Sequence, residues 1–399
     1  MTDAVIEAGK PDARPDRLWL YALLSVVATA GFFYVNIMAA IVDGLITGLH
    51  FSNAEAGMVG SANIYGASVG ALVAVFLVRR IAWRPALFSL LALLLGLDLL
   101  STLIQTPQML IAVRAVHGVI GGMAVGVSYS VIARTASPDR AFGMLLLVQF
   151  GLGGLGVMFL PGLVPDYGAR ILFLTLALFS ACALVGTAMI PALAESRTDS
   201  RHGAEPRMND GARATALLAL LALFLFQAGN MSLSAFIIRL GEHFALGRGF
   251  IGQAIGWATW VGALGAVLVI VLGTHHGRFR PLVAAMMLTV IGTAGFFWSA
   301  SGLVFFIANV ATAITWSFVV PYLLGMLSLL DGSGRLATLG GFGSKLGLAS
   351  GPMVAGWLLA HDDFDRLIGV ALLTLAASGV ATVLAAWRID RLQGRQPGQ

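Results

Sequence analysis

Four ionisable side chains lie within long apolar segments, where a charge is costly unless it is paired or used. Arg114, Asp98 and Lys345 have mostly apolar residues on both sides, and Asp43 lies nearer the end of another such segment. In a lipid interior a charged side chain costs about 2.5–3.5 kcal/mol on insertion scales, so it marks an ion pair, a proton site or a binding site. These four residues are therefore the first candidates for chemistry.

Asp98 and Arg114 are spaced so that they can pair. Each lies eight residues from Thr106, where the two segments turn, and a rise of 1.5 Å per residue puts both about 12 Å from the turn. Asp43 is the rival partner of Arg114. We predict proton coupling through Asp98, Asp43 or His117, since histidine titrates near neutral pH. The alternative interpretation is structural: an ion pair that ties helices together and a hydrogen-bonded core histidine.

Lys345 is one of two lysines in the chain and lies in the glycine-rich run GGFGSKLGLASG. The acidic residues of its half nearest to apolar segments, Glu242 and Asp331, lie only at segment ends. Either Lys345 loses its charge through desolvation, or it faces a cavity and binds an anion. We expect the second, with Lys345 and Arg114 binding a carboxylate from opposite halves of the protein.

Uncharged polar side chains recur at helical spacing in four apolar segments. Residues three, four or seven apart share a helix face, so each set forms a polar stripe. Each amide could instead make an ordinary hydrogen bond between helices, and Trp257 and Trp316 could be packing residues or contact a substrate. Four stripes facing one another would line a water-accessible cavity. The predicted substrate-binding residues are Asn36, Arg114, Gln227, Asn230, Asn309, Trp316 and Lys345.

The composition identifies the class of protein that must position these residues. Of 399 residues, 58% are apolar and 11% are charged, whereas a soluble domain has about 25% charged residues. This excludes an ordinary soluble enzyme and a disordered chain. Cys182 is the only cysteine, which excludes an internal disulfide and a cysteine metal cluster. We expect no metal site and no cofactor, and the absence of a Walker loop argues against ATP as the energy source.

Twelve apolar runs are long enough to be membrane-spanning helices of about 20 residues. We number them as spans 1 to 12. They cover about 18–42, 54–78, 83–104, 108–133, 141–163, 171–193, 214–240, 249–274, 281–300, 302–329, 335–360 and 366–388.

The basic residues predict the orientation and the domain organisation. If the N-terminus is cytoplasmic, 18 of the 24 Lys and Arg residues fall on the cytoplasmic side and 3 on the outside, as the positive-inside rule requires. Basic residues at helix ends also argue against nucleic acid as a partner. A polar linker at 194–213 separates six-helix bundles at 1–193 and 214–399. This symmetry is typical of a transporter with its site at the midplane.

Two motifs resemble a known family. RAVHGVIGG at 114–122 is similar to the Arg-x-x-x-Gly-x-x-Gly-Gly signature of the major facilitator superfamily. VRRIAWRPAL, between spans 2 and 3, resembles the family's cytoplasmic loop motif, with Arg79 in place of the usual acid. The counterpart THHGRFRPL, between spans 8 and 9, also lacks the acid, which puts an acid-dependent latch in doubt.

The resemblance, to bacterial twelve-helix members in particular, implies a fold and a location. It implies an all-α polytopic protein of twelve helices in two six-helix halves, with spans 1, 4, 7 and 10 lining a central cavity. We expect a monomer in the lipid bilayer of a bacterial inner membrane, with both termini cytoplasmic.

For function, we expect a proton-coupled carrier of a small organic anion that works by alternating access, because the deep charges lean positive. The alternative is a proton-driven efflux antiporter for drugs or metabolites, which the aromatic residues favour. A membrane-embedded enzyme is a third class, but the Asp98–Arg114 pair lacks a nucleophile. The sequence therefore predicts small solutes and protons as partners.

Overall fold

The computed structural model describes residues 18–78, 81–135, 138–190, 210–272, 277–330 and 335–393. All of the regular structure in these residues is helical. Spans 1 to 6 are Leu18–Ala30 with Phe33–Asn36 and Met38–Leu49, Asn53–Leu77, Trp83–Ser101, Pro107–Ile132, Pro138–Tyr167 and Arg170–Met189. Spans 7 to 12 are Asp210–Ala235 with Ile237–His243, Arg248–Leu272, Phe279–Gly295, Gly302–Leu330, Arg335–Leu358 and Phe364–Gln393.

Ten of these helices are long and apolar enough to cross a membrane. The other two predicted spans depart from a continuous apolar helix for different reasons. Span 1 is divided into shorter pieces by a turn at Gly31–Phe32 and a break at Ile37. Span 11 is continuous, but its glycines, serines and Lys345 make it more polar than the rest. The all-helical membrane fold predicted from composition is confirmed.

The helix of span 7 begins at Asp210, within the predicted linker of 194–213. Residues 210–213 contain no proline, so they can continue the helix beyond its apolar part. The rest of the linker, 194–209, lies outside the described residues, as do Lys10, Arg79 and Arg80.

Glycines of span 4 bring it against spans 1 and 2. A Cβ atom at Gly118 would collide with the backbone carbonyl of Asn63, and one at Gly121 would collide with that of Gly31. Only glycine allows backbones to approach this closely. The glycines of the family-like signature therefore fix where span 4 lies and how it is rotated about its axis.

Spans 2 and 11, and spans 5 and 8, join the two halves. Gly57 packs on the backbone of Pro352, and Asn53 donates a hydrogen bond of 2.9 Å to the carbonyl of Leu359. These contacts lie near the connections between spans 1 and 2 and between spans 11 and 12. We call this end of the protein the closed end.

Candidate functional site

A cavity of about 420 Å³ lies between the halves, with lining residues on spans 1, 5, 7, 8, 10 and 11 and one residue, Phe296, directly after span 9. The described lining residues include no Asp, Glu, Lys, Arg or His. Four aromatic residues, Phe32, Phe150, Phe296 and Trp316, form apolar walls. The uncharged polar side chains that line the cavity, apart from Trp316, are Asn36, Gln149, Gln227, Asn230, Ser234, Thr259, Asn309, Thr312 and Ser317.

The structure brings together five of the seven predicted substrate-binding residues. They are Asn36, Gln227, Asn230, Asn309 and Trp316. Arg114 and Lys345 are not among the lining residues. Gln149, Thr259 and Ser317 line the cavity but were not predicted, because none of them has a polar residue three, four or seven positions away to form a stripe.

Arg114 lies in the core of the N-terminal half rather than at the cavity. Its side chain is 0% exposed, and its Nη1 lies 2.7 Å from Oδ1 of Asp98, which is 1% exposed. The ion pair predicted from the equal distances to the turn is confirmed. The implied contribution of span 4 to the cavity is not observed: none of the described lining residues belongs to it. The glycine contacts hold span 4 against spans 1 and 2, and Arg114 and His117 are directed at Asp98 of span 3.

His117 completes this buried group, and its hydrogen bonds indicate its tautomer. The amide nitrogen of Asn63 lies 2.9 Å from Nδ1 of His117, and Nη2 of Arg114 lies 3.2 Å from the same atom. Both neighbours can only donate, so Nδ1 must accept. Nε2 then carries the proton and donates to Asp98 over 3.1 Å. In this arrangement His117 is neutral.

Tyr34 connects the buried group to the interrupted part of span 1. Its ring centroid lies 4.5 Å from Cζ of Arg114, a cation–π distance. Phe32 and Asn36, two residues to either side, line the cavity. One short helical segment therefore contacts the ion pair on one face and the cavity on the other.

Gln227 is the centre of a hydrogen-bonded group at the cavity wall. Trp316 donates its indole N–H to Oε1 of Gln227 over 2.7 Å, and Nε2 of Gln227 donates to the hydroxyl of Ser344 over 2.6 Å. Spans 7, 10 and 11 are thereby linked through one amide.

Lys345 follows Ser344 and is half-buried. Among the described residues its ammonium has neither an ion pair nor a hydrogen bond. Pro352, two helical turns away on the same face, touches the N-terminal half. A Cβ atom at Gly341 or Gly343 would meet none of the described atoms within 4 Å. Lys345 therefore lies on the face of span 11 that touches the N-terminal half two turns further on.

Asp43 does not pair with Arg114. It is 0% exposed, and its Oδ2 lies 3.3 Å from Nη1 of Arg248 in the other half. Arg248 also contacts Glu242 at 2.5 Å, and Glu242 contacts Arg239 at 3.0 Å. The second oxygen of Asp43 has no hydrogen-bond partner among the described residues. The sequence offered one signal for this pair: Arg248 is one of only three basic residues predicted on the outer side.

A carboxylate of span 12 contacts the loop before span 9. Asp390 accepts hydrogen bonds of 2.9 Å from the backbone N–H groups of Arg278 and Phe279. A carboxylate at this position caps the helix that begins at Phe279. Sequence reasoning missed this contact because Asp390 lies far along the chain from the loop motif.

Trp257 does not reach the cavity. Its side chain is 53% exposed at the surface of the protein, and its ring packs edge-on against Trp260. Trp260 faces span 5 and donates to the carbonyl of Gly151 over 3.1 Å. Of the two tryptophans considered as substrate contacts, only Trp316 lines the cavity.

Several solved transporter structures share the fold of this chain. The nucleoside transporter NupG matches with a TM-score of 0.71 at 12% identity, over 93% of this chain and 99% of NupG. A variant of the peptide transporter POT matches with a TM-score of 0.73 at 12% identity, over 94% and 95%. A D-xylose-proton symporter matches with a TM-score of 0.66 at 14% identity, over 93% and 96%. At such identities these likenesses establish the fold alone.

Sequence comparison gives the family. A search of curated proteins finds no match. The family profile of the Major Facilitator Superfamily matches residues 22–330, which is most of the chain. The twelve helices, the close glycine packing of span 4 and the cavity between the halves agree with this match, and the chain belongs to the Major Facilitator Superfamily of transporters.

Proposed function

We propose that this chain is a secondary active transporter that moves a small organic solute across a bacterial inner membrane by alternating access. The observation that carries the proposal is the cavity between the halves, which five of the predicted polar residues line. A site at the seam of two halves can be exposed to either side of the membrane when the halves rock against each other. The solved structures that share this fold belong to transporters of nucleosides, peptides and xylose, and this supports a small organic solute for this chain.

The closed end would be the outer side of the membrane. The distribution of Lys and Arg assigns both termini and the linker to the cytoplasm. The closed end lies opposite to them. The cavity would then be available from the cytoplasm in this conformation.

Asp43 is the residue through which we propose proton coupling. Its ion-pair partner, Arg248, belongs to the other half, so rocking that opens the closed end separates the pair. A carboxylate left in a buried position without its cation is costly, and taking up a proton relieves that cost. Asp98 and His117 are the alternative carriers, but they and Arg114 all belong to the N-terminal half and would move together.

A second candidate substrate is an organic anion, and one observation favours it. Lys345 shares the face of span 11 that touches the N-terminal half at Pro352, and it has no partner among the described residues. A carboxylate could satisfy it. Arg114, the other cation of the anion hypothesis, is engaged with Asp98 and is removed from the cavity.

A test of alternating access uses cysteines at the closed end. Asn53 donates a hydrogen bond of 2.9 Å to Asp362, so Asn53→Cys and Asp362→Cys place two thiols within reach of each other. The background is Cys182→Ser, which removes the only native cysteine. In proteoliposomes, oxidation should stop uptake of a solute first identified by thermal stabilisation, and a reductant should restore it. Uptake that continues after complete cross-linking would overturn the proposal.

A further inference from the structure

We propose that an acyl chain of a membrane phospholipid binds in a groove between spans 2 and 11 and favours the conformation in which the closed end is closed. The groove has a volume of about 290 Å³ and shares no described lining residue with the central cavity. Five apolar residues line it, namely Ala54, Met58, Met353, Val354 and Trp357. Binding is argued from the groove alone, whereas the effect on conformation rests on the proposed function.

The groove forms because spans 2 and 11 meet through small residues. Gly57 packs on the backbone of Pro352, and a Cβ atom at Gly356 would collide with the backbone carbonyl of Asn53. Helix backbones approach this closely only where the side chains at the contact are small. The larger side chains on either side of the contact are left as the walls of a furrow.

The groove follows the direction of the two helices. Ala54 and Met58 are one turn apart on span 2, and Met353 and Trp357 are one turn apart on span 11. Gly356, next to Trp357, contacts Ala54, so these residues mark the end of the groove that is nearer the connections between spans. Tryptophan is common at the headgroup level of a membrane. A lipid chain that enters beside Trp357 would therefore extend towards the two methionines.

Lipid is the medium that faces this groove. Span 2 is long and apolar enough to cross a membrane, and the side chains of Met58, Met353, Val354 and Trp357 are exposed at the protein surface. An empty groove leaves its lining atoms without dispersion contacts, and an acyl chain restores them. Methionine side chains can adjust their shape to such a chain.

A second copy of the chain fits this groove less well than a lipid does. A stable protein interface engages about 20–30 residues on each side, whereas five described residues line the groove. The groove also lies directly beside the contact between the two halves at Gly57 and Pro352. A single flexible chain can fill such a furrow without any further surface.

The walls of the groove come from both halves of the protein. Ala54 and Met58 belong to span 2, and the other three lining residues belong to span 11. Rocking that opens the closed end separates these spans and divides the groove. A ligand that binds one conformation better than the other shifts the equilibrium towards the first. The bound acyl chain therefore favours a closed end, and opening releases it.

Two tryptophans of similar exposure allow a matched test of binding. Trp357 is 69% exposed and lines the groove, whereas Trp298 is 65% exposed and directly follows span 9. The full-length protein is purified in a steroid-based detergent, whose fused rings are too wide for the groove, and phosphatidylcholine with brominated acyl chains is added. Bromine quenches the fluorescence of a tryptophan that it contacts. Subtracting the spectra of Trp357→Phe and Trp298→Phe gives the signal of each residue. Trp357 should reach half-maximal quenching at a lipid concentration about threefold lower than Trp298 does.

Two exposed methionines provide matched variants. Met353→Ala removes a wall of the groove, whereas Met287→Ala removes the same side chain from the exposed surface of span 9. Met353→Ala should raise the half-maximal lipid concentration for Trp357 to that for Trp298, and Met287→Ala should leave both unchanged. If Met353→Ala does not fold, Met58→Ala removes the opposite wall. Equal quenching of the two tryptophans in the unmodified protein would overturn the proposal. So would self-association of the protein that protects Trp357 from the brominated lipid.

The effect on conformation is read from the cysteine pair Asn53→Cys and Asp362→Cys in the Cys182→Ser background. Addition of the same phosphatidylcholine should speed disulfide formation about threefold, and Met353→Ala should abolish this increase while Met287→Ala retains it. An unchanged rate at lipid concentrations that quench Trp357 would overturn the conformational part. Quenching does not depend on transport, so failure of the lipid site is distinguishable from failure of the proposed function.

Discussion

Asp43 of span 1 and Arg248 of span 8 form an ion pair of 3.3 Å, although 205 residues separate them in the chain. Asp43 is fully buried and Arg248 is one-third exposed. The pair crosses from one half of the protein to the other at the closed end. Breaking one partner of a buried pair leaves an uncompensated charge, which costs more than the intact pair contributes.

The first prediction is that this pair holds the closed end together. Asp43→Asn or Arg248→Gln should slow disulfide formation between Asn53→Cys and Asp362→Cys about threefold to tenfold, since exposed ion pairs are worth up to about 1 kcal/mol and partly buried ones more. Arg239→Gln is the control, because in the described part of the chain Arg239 forms an ion pair only with Glu242 of its own half. Equal cross-linking rates in all three variants would contradict this role.

The second prediction concerns the buried pair of the N-terminal half. Arg114→Met should lower the free energy of unfolding by about 3–5 kcal/mol, because it leaves the carboxylate of Asp98 buried without its cation. The double variant Asp98→Asn with Arg114→Met should recover much of that loss. Thermal and denaturant unfolding of the detergent-solubilised protein measures both. If the double variant were as unstable as the single one, charge compensation would not be the reason for the pair.

The third prediction tests the glycine packing of span 4. Gly118→Ala should disrupt the N-terminal half, since its Cβ would collide with the backbone carbonyl of Asn63. Gly96→Ala is the matched control on span 3, where a Cβ meets none of the described atoms within 4 Å. It should stabilise the helix by about 0.5–1 kcal/mol. A shift of the unfolding midpoint in the same direction for both variants would show that backbone proximity is not decisive.

The fourth prediction tests the organic-anion candidate at Lys345. Lys345→Gln removes a half-buried ammonium that has no partner among the described residues. The protein should become more stable to heat, because the desolvation cost of an unpaired ammonium is removed. Lys10→Gln is the control lysine variant. Loss of binding of a carboxylate probe such as gluconate on Lys345→Gln would favour the organic anion.

The fifth prediction concerns the orientation of the protein in the membrane. We expect the central linker to lie in the cytoplasm, because basic residues concentrate on that side. A reporter enzyme that works only in the cytoplasm should therefore be active when it is inserted after Arg201. Activity of a periplasmic reporter at the same position would reverse the assignment of inner and outer ends. The matched insertion after Asp363, in the connection between spans 11 and 12 at the closed end, should give the opposite result.

The sequence alone determined the helices and one close contact. Each apolar run becomes a helix because, in lipid, the chain must satisfy its own backbone hydrogen bonds, which depends only on local composition. The Asp98–Arg114 pair was also predictable, since both residues belong to one hairpin and equal distances from its turn set equal depth. Asn36, Gln227, Asn230, Asn309 and Trp316 were recognisable from their helical spacing.

Tertiary structure decided which way each helix faces. Span 4 is rotated by glycine contacts with Asn63 and Gly31, far away in sequence, and so Arg114 points into its own half instead of the cavity. In the sequence Arg248 is an ordinary arginine at a helix end, and only the packing of the two halves places it beside Asp43. A helical stripe states which residues share a face, but the rotation of the helix about its axis is set by close contacts with other helices. Those contacts join residues far apart in the chain, and no local pattern encodes them.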